Sequence, residues 1–165
     1  MGTKSNKNLE GLASALSLLN IKDIELTIVG RLSNAQEELL NNSCIKYENA
    51  LNLRNSELYE LISQSDLLVF LSTFEGFGMP IIEAQYLGTA VLASKIEPML
   101  SVGADSCFYA DPFNFKDIAH QIKKAYEQRS LSEDLVKKGK FNVQRYHISN
   151  NIEQYVAIYE DIVSP

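Results

Sequence analysis

Two glutamates, two glycines and a proline fall within one short segment of the chain. Glu75 and Glu83 are separated by seven residues, and Gly76 and Gly78 lie between them. Glycines let the backbone approach a ligand closely, and Pro80 suits the first turn of a helix, whose N-terminus favours phosphate. A carboxylate beside a phosphate is repelled by the phosphate charge. Its presence makes sense only if it accepts hydrogen bonds from neutral hydroxyls next to the phosphate, such as those of a sugar. The segment therefore predicts a site for a ligand that carries both sugar and phosphate.

The same residues also admit a plain structural interpretation. A strand, a glycine-rich turn and a proline-led helix form ordinary connections, so a lone Gly-x-Gly is weak evidence. The functional interpretation depends on two glycines and two acids occurring together between a strand and a helix.

The elements around the segment support that context. The run 67–71 is apolar without alternation, which is typical of a strand covered by helices on both faces. Pro80 predicts the start of the next helix and Gly88 its end. In an open α/β sheet, ligands bind outside the carboxyl ends of the strands, which is where Glu75 falls.

Strand and helix signals alternate along the rest of the chain. Short apolar runs predict strands at 24–29, 44–47, 67–71, 90–93 and 107–110, and helices are predicted between the first four of them. From Phe115 the chain reads as nearly all helix, including an apolar stripe at 152–163. This order predicts one domain over residues 1–165, of α/β class, with a Rossmann-like, doubly wound parallel sheet and C-terminal helices. Because no strand precedes the first helix, we expect that the first strand of the sheet is missing.

Composition excludes several classes of function. The 165 residues carry a formal charge of −6, which argues against nucleic-acid binding and a polybasic membrane anchor. The longest apolar run is far shorter than the roughly 20 residues of a membrane span, and residues 1–12 show no secretory signal. Cys44 and Cys107 lack zinc or disulfide spacing. We expect a cytoplasmic protein without a metal site.

The segment EGFGMPIIEA, residues 75–84, closely resembles the acidic signature of the retaining glycosyltransferases of family 4. Further similarities to this family occur at 2–9, 28–30, 58–70, 88–91 and 111–112. The resemblance runs from about residue 2 to the end. It implies the C-terminal, donor-binding lobe of a two-lobed GT-B enzyme, without the N-terminal acceptor lobe.

The resemblance assigns roles to individual residues. Glu83 holds the ribose of a nucleotide-sugar, such as a UDP- or GDP-sugar, and Glu75 contacts the transferred sugar as the catalytic candidate. Lys7 matches the diphosphate-binding lysine. The donor sugar and diphosphate face the backbone N–H groups of Gly76, Phe77, Gly78 and Met79, and Pro80, which has no N–H, completes the binding segment at the start of the helix.

The implied reaction transfers a sugar with retention at its anomeric carbon. Such a step passes through an oxocarbenium-like state, so stabilising the leaving group is its main requirement. Lys7 and a helix N-terminus can supply that charge, so no metal or other cofactor is implied. The resemblance favours bacterial surface polysaccharide or glycolipid synthesis, with peripheral membrane contact through the acceptor lobe and little activity in the isolated chain.

Other functions remain open at this point. The chain could be a nucleotide-sugar-binding module without catalysis, or a subunit that a partner lobe completes. The acidic pair argues against another GT-B enzyme, such as a nucleotide-sugar epimerase. A dinucleotide-dependent dehydrogenase is disfavoured because no G-x-G-x-x-G follows the first predicted strand.

Overall fold

A computed structural model describes residues 5–149 except 20, 22 and 44. Within this part of the chain, strands and helices alternate. The strands are β1 (Leu26–Val29), β2 (Tyr47–Ala50), β3 (Leu67–Phe70), β4 (Ala90–Ser94) and β5 (Phe108–Ala110). The α-helices are α1 (Leu9–Ser17), α2 (Asn34–Asn42), α3 (Asn55–Gln64), α4 (Met79–Leu87), α5 (Met99–Gly103), α6 (Phe115–Glu127) and α7 (Arg129–Asn142). Short 3-10 helices cover Ser5–Lys7 and Val143–Tyr146.

All strand pairings are parallel, and helices connect the strands, which confirms the predicted α/β class. β1 pairs with β2 in one sheet, and β3, β4 and β5 form a second sheet in that order. The prediction of one sheet is therefore refined, because no pairing joins β1 to β3 among the described residues.

The three-stranded sheet has an apolar core on each face. All five residues of β4 are buried, and alternate side chains of a strand point to opposite faces. Leu92 belongs to a cluster with α1 and α6, whereas Val91 and Ala93 belong to a second cluster with α4 and α5. This two-sided burial explains why the strand sequences are apolar without alternation.

A buried polar network fixes α4, the helix that follows the acidic segment. The side-chain amide of Gln85 donates to Ser106 Oγ at 2.8 Å and accepts from Asn142 Nδ2 at 2.9 Å. A Cβ on Gly139 would lie 2.9 Å from the Gln85 side chain, so α7 packs closely against α4. Since buried amides are costly to leave unpaired, this network holds α4 in one position.

Several boundaries differ from the predictions. β2 begins at Tyr47 and extends to Ala50, beyond the predicted 44–47, and Cys44 lies outside the described residues. Pro80 is the second residue of α4, because Gly78 caps the helix and Met79 begins it. The short helix α5 was not predicted. The stripe at 152–163 lies outside the described residues.

Candidate functional site

The loop between β3 and α4 is pinned at its start and turned by a glycine at its end. The Ser72 carbonyl accepts a hydrogen bond of 2.7 Å from Ser94 Oγ. Gly78 caps α4 with φ 110°, in the left-handed range that side chains disfavour. The loop therefore delivers the N-terminus of α4, with its partial positive charge, to the carboxyl end of β3.

The beginning of the described chain joins this loop. The Thr73 N–H donates to the Asn6 carbonyl at 2.8 Å, and Asn6 Nδ2 donates to the Phe74 carbonyl at 3.1 Å. These bonds bring the 3-10 helix Ser5–Lys7 beside a loop nearly 70 residues later in the sequence.

Lys7 and Glu75, which sequence reasoning proposed separately, are in direct contact. The Lys7 ammonium forms an ion pair with Glu75 Oε1, and the two side chains are only 22% and 18% exposed. The ammonium also lies 5.2 Å from the centroid of the Phe70 ring, within the range of a cation–π contact. The site thus holds a half-buried cation beside a helix N-terminus.

The pKa of the Glu75 carboxyl is lowered from its usual value. Burial raises this pKa, but the hydrogen bond and charge of Lys7, with the nearby Ser72 hydroxyl, outweigh burial. Glu75 is therefore ionised at neutral pH and accepts hydrogen bonds rather than donating a proton.

The lowered pKa predicts how stability depends on pH. The stabilisation from the pair is complete above the ordinary glutamate pKa, about 4.3, and is lost as pH falls through the lowered value of the folded state. In Lys7→Gln the carboxyl keeps its burial without the cation, so its pKa rises. We expect the stability difference between the wild type and Lys7→Gln to shrink from about pH 6 to about pH 3. Urea unfolding at a series of pH values measures it, and a constant difference would contradict the pairing.

The Ser72 hydroxyl in the loop is buried and lies close to the Glu75 carboxylate, whose pKa it helps to lower. Its Oγ forms no well-aligned hydrogen bond within the described part of the chain. The hydroxyl therefore acts on Glu75 by proximity rather than through a hydrogen bond of good geometry.

The two glycines of the motif differ in their surroundings. A Cβ on Gly76 would meet no atom within 4 Å, whereas Gly78 is buried and has a positive φ. The fold therefore requires a glycine at Gly78, and the open space at Gly76 is available to a ligand.

Large apolar side chains around the loop are exposed. Phe74 is 75%, Met79 53% and Phe77 44% exposed. The Phe77 ring packs edge to face on Tyr146, with centroids 5.8 Å apart. A cluster of exposed apolar residues at a ligand loop is typical of a surface that another molecule or domain covers.

Glu83 lies four residues after Met79, about 6 Å along the axis of α4. It is half-buried and forms no ion pair or hydrogen bond with other described residues. It lines a cavity of about 360 Å³ together with Tyr86, Tyr146 and His147. Glu83 is therefore free to accept hydrogen bonds.

Sequence reasoning missed two of these neighbours. The Ser72 hydroxyl carries no motif of its own, and Tyr146 reaches Phe77 only through the packing of α7 against α4. His147, at the end of the 3-10 helix, has its Nδ1 2.8 Å from Ser149 Oγ.

Comparison with known proteins identifies the family. The sequence matches glycosyl transferases group 1 over residues 3–141. The chain belongs to this family. Within the described residues, this group 1 glycosyltransferase domain has no helix long and apolar enough to cross a bilayer, and no three acidic, histidine or cysteine side chains are grouped to bind a metal ion.

Individual relatives agree with the family. The domain is 24% identical over 163 residues to N,N'-diacetylbacillosaminyl-diphospho-undecaprenol alpha-1,3-N-acetylgalactosaminyltransferase of Campylobacter jejuni, covering 96% of this chain and 42% of that protein. It is 26% identical over 106 residues to O-antigen chain mannosyltransferase B of Escherichia coli, covering 64% of this chain and 28% of that protein. The domain thus spans less than half the length of these relatives.

A solved structure confirms the fold. A glycosyltransferase from Rickettsia africae superposes with a TM-score of 0.87 at 24% identity, covering 99% of this chain and 46% of that one. The group 1 domain therefore has the fold of one Rossmann-like lobe of a GT-B glycosyltransferase.

Proposed function

We propose that the chain is the donor-binding lobe of a retaining glycosyltransferase of family 4. The lobe binds a nucleotide-sugar, and a second lobe of the same enzyme binds the acceptor. The observation that carries the proposal is the Lys7–Glu75 pair beside the N-terminus of α4, where a cation and a carboxylate meet an anion-binding helix end.

Each charge has a part in this proposal. The diphosphate binds at the N–H groups of Gly76, Phe77, Gly78 and Met79, which precede Pro80 in α4, and Lys7 turns to it. Glu75, ionised because its pKa is lowered, accepts hydrogen bonds from hydroxyls of the transferred sugar. The cation and the helix N-terminus then stabilise the charge that develops on the departing nucleotide.

Glu83 binds the ribose in this proposal. Its carboxylate has no partner among the described residues, so sugar hydroxyls meet no competing hydrogen bond there.

The acceptor class is proposed from the relatives. The Campylobacter jejuni relative is named for a lipid-linked acceptor, and the Escherichia coli relative for an O-antigen chain. We infer a glycan or lipid-linked acceptor in bacterial surface polysaccharide synthesis, on the cytoplasmic side of the membrane. In this proposal the exposed Phe74, Phe77 and Met79 contact the acceptor lobe. Since acceptor binding belongs to that second lobe, the isolated chain is expected to transfer little or no sugar.

Thermal unfolding with UDP, GDP and ADP tests the proposal. One nucleotide at a hundred times its dissociation constant stabilises the domain by about 2.7 kcal/mol, a shift of several degrees. One similar solved structure, HepE of Anabaena, is in complex with UDP. It superposes on this chain with a TM-score of 0.78 at 19% identity. UDP is therefore the first ligand to try.

Replacing Glu83 by alanine is expected to weaken that stabilisation. The loss of hydrogen bonds from ribose to a charged acceptor corresponds to about tenfold weaker binding or more. The control is Glu38→Ala, because Glu38 is also a helical glutamate but lies on α2, where it is exposed. Equal nucleotide shifts in Glu83→Ala and Glu38→Ala would contradict the ribose role.

A further inference from the structure

Asn8 directly follows Lys7 and is bonded to the loop after β5. Its side-chain amide donates a hydrogen bond of 2.6 Å to the carbonyl of Pro112, 104 residues later in the sequence. Asn6, which precedes Lys7, bonds to the loop after β3. Because β4 lies between β3 and β5, these two loops follow strands about 10 Å apart. The backbone of Lys7 is therefore held on both sides, by two different loops.

The conformation of Asn8 differs from that of an ordinary N-cap residue. It precedes α1 with φ 58° and ψ 43°, in the left-handed region, and its side chain caps no N–H group of that helix. N-cap residues usually have an extended backbone and accept a hydrogen bond from the first turn of the helix. Asparagine is among the residues that adopt the left-handed region more readily than most. The Asn8 amide is thus bonded to the β5 loop rather than to its own helix.

Gly11, in the first turn of α1, provides the space for this amide. A Cβ on Gly11 would overlap Asn8 Oδ1 and would lie 2.9 Å from Asn8 Nδ2. The Asn8 side chain therefore lies directly against the helix, and a larger residue at position 11 would displace it.

The loop that accepts the Asn8 hydrogen bond is itself well fixed. The Asp111 carboxylate accepts from the Phe113 N–H at 2.9 Å, and the Asp111 N–H donates to the Asp117 carboxylate of α6 at 2.8 Å. Pro112 between them is buried. Asn8 is therefore attached to a structured turn.

We propose that Asn8 is a positioning residue for Lys7, which it holds where the ammonium reaches the donor diphosphate. This role rests on the proposed function, in which Lys7 turns from Glu75 to that diphosphate. Lysine carries its charge on a flexible four-carbon stem. With its backbone fixed through Asn6 and Asn8, the side chain alone moves when the ammonium exchanges the carboxylate for the phosphate.

Asn8→Gly tests this role, because glycine keeps the left-handed backbone and removes only the amide. We expect binding of UDP (or of GDP or ADP, whichever the domain prefers) to weaken about tenfold, and binding of the corresponding monophosphate to change less than about twofold. The matched control is Asn52→Gly, since Asn52 also has a positive φ, 55°, but is exposed and lies after β2. In a Lys7→Met background, Asn8→Gly should weaken diphosphate binding no further.

Gly11→Ala disturbs the same amide without altering Asn8. The added methyl group displaces the Asn8 side chain from Pro112, although alanine itself favours a helix over glycine by about 1 kcal/mol. We expect a comparable loss of diphosphate binding. Combining Gly11→Ala with Asn8→Gly should add no further loss, because the hydrogen bond to Pro112 is then already absent.

The Glu75 carboxyl reports on Lys7 without any ligand. Burial raises the pKa of Glu75, but Lys7 and Ser72 together bring it below its usual value. A displaced ammonium should therefore let this pKa rise in Asn8→Gly and in Gly11→Ala but not in Asn52→Gly, which NMR titration of the carboxyl measures.

An unchanged Glu75 pKa in Asn8→Gly and Gly11→Ala would overturn the positioning role. Equal losses of diphosphate binding in Asn8→Gly and Asn52→Gly, or equal losses of diphosphate and monophosphate binding in Asn8→Gly, would overturn it as well. If the wild type binds none of UDP, GDP and ADP, the proposed function fails, and the Glu75 pKa still decides whether Asn8 positions Lys7.

Discussion

Replacing Lys7 by methionine is expected to weaken nucleotide binding by about 10- to 100-fold, the value of hydrogen bonds to a charged group. In the two-lobed enzyme we expect kcat/KM to fall by about 100- to 1,000-fold, because Lys7 also stabilises the departing nucleotide. Methionine keeps the length and apolar contacts of the lysine stem, including its position near the Phe70 ring.

The ion pair complicates the interpretation of this variant, because Lys7→Met also leaves Glu75 half-buried and unpaired. The double variant Lys7→Met/Glu75→Gln removes that charge. It is expected to recover stability but not nucleotide binding, since the diphosphate still lacks its cation. Recovery of both would mean that the pair is structural only.

A second lysine provides the control for Lys7. Lys46 also forms an ion pair with a glutamate, Glu25, but both side chains are largely exposed. Lys46→Met is expected to leave nucleotide binding unchanged and to cost little stability, because exposed ion pairs contribute about 0–1 kcal/mol. Calorimetric titration with UDP compares the variants, and equal losses in both would contradict a specific role for Lys7.

Exchanging the two motif glycines for alanine is expected to give opposite results. Gly78→Ala places a side chain at φ 110° and should cost about 1–3 kcal/mol of stability. Gly76→Ala adds a methyl group to open space, so the free energy of unfolding should change little. The added methyl group lies where the ligand binds, and nucleotide-sugar binding should weaken by about tenfold, or roughly 1.4 kcal/mol.

Urea unfolding and ligand titration of the two alanine variants measure this contrast. A stable Gly76→Ala protein that binds every nucleotide-sugar like the wild type would place the ligand elsewhere. A Gly78→Ala protein as stable as the wild type would show that the loop adopts another backbone conformation.

The fold class was predictable because a strand that is buried on both faces is apolar at consecutive positions, without alternation. The apolar run that forms β3 and the proline and glycine that bound α4 placed both elements within two residues of their positions. β2 was less well placed, because Tyr47–Ala50 includes polar Glu48 and Asn49. Helix α5 has only five residues, too few for a periodic pattern.

The arrangement of the site was only partly predictable. Glycines, acids and a strand–helix junction indicated the loop, and the resemblance to family 4 supplied Lys7. The contact between Lys7 and Glu75 depends on the hydrogen bonds between Asn6 and the loop. Those bonds join residues that are distant in sequence, so no local pattern indicates them. The division into two sheets depends on which strands meet in space, and strand sequences carry no such information.

Amide NMR of the chain titrated with UDP, GDP and ADP tests the central claim most directly. The account predicts that at least one nucleotide shifts the amide signals of residues 76–79 at the start of α4, with smaller changes at Lys7 and Glu83. A nucleotide that binds without moving the signals of residues 76–79, or the absence of binding by all three at millimolar concentration, would contradict a donor site at this loop.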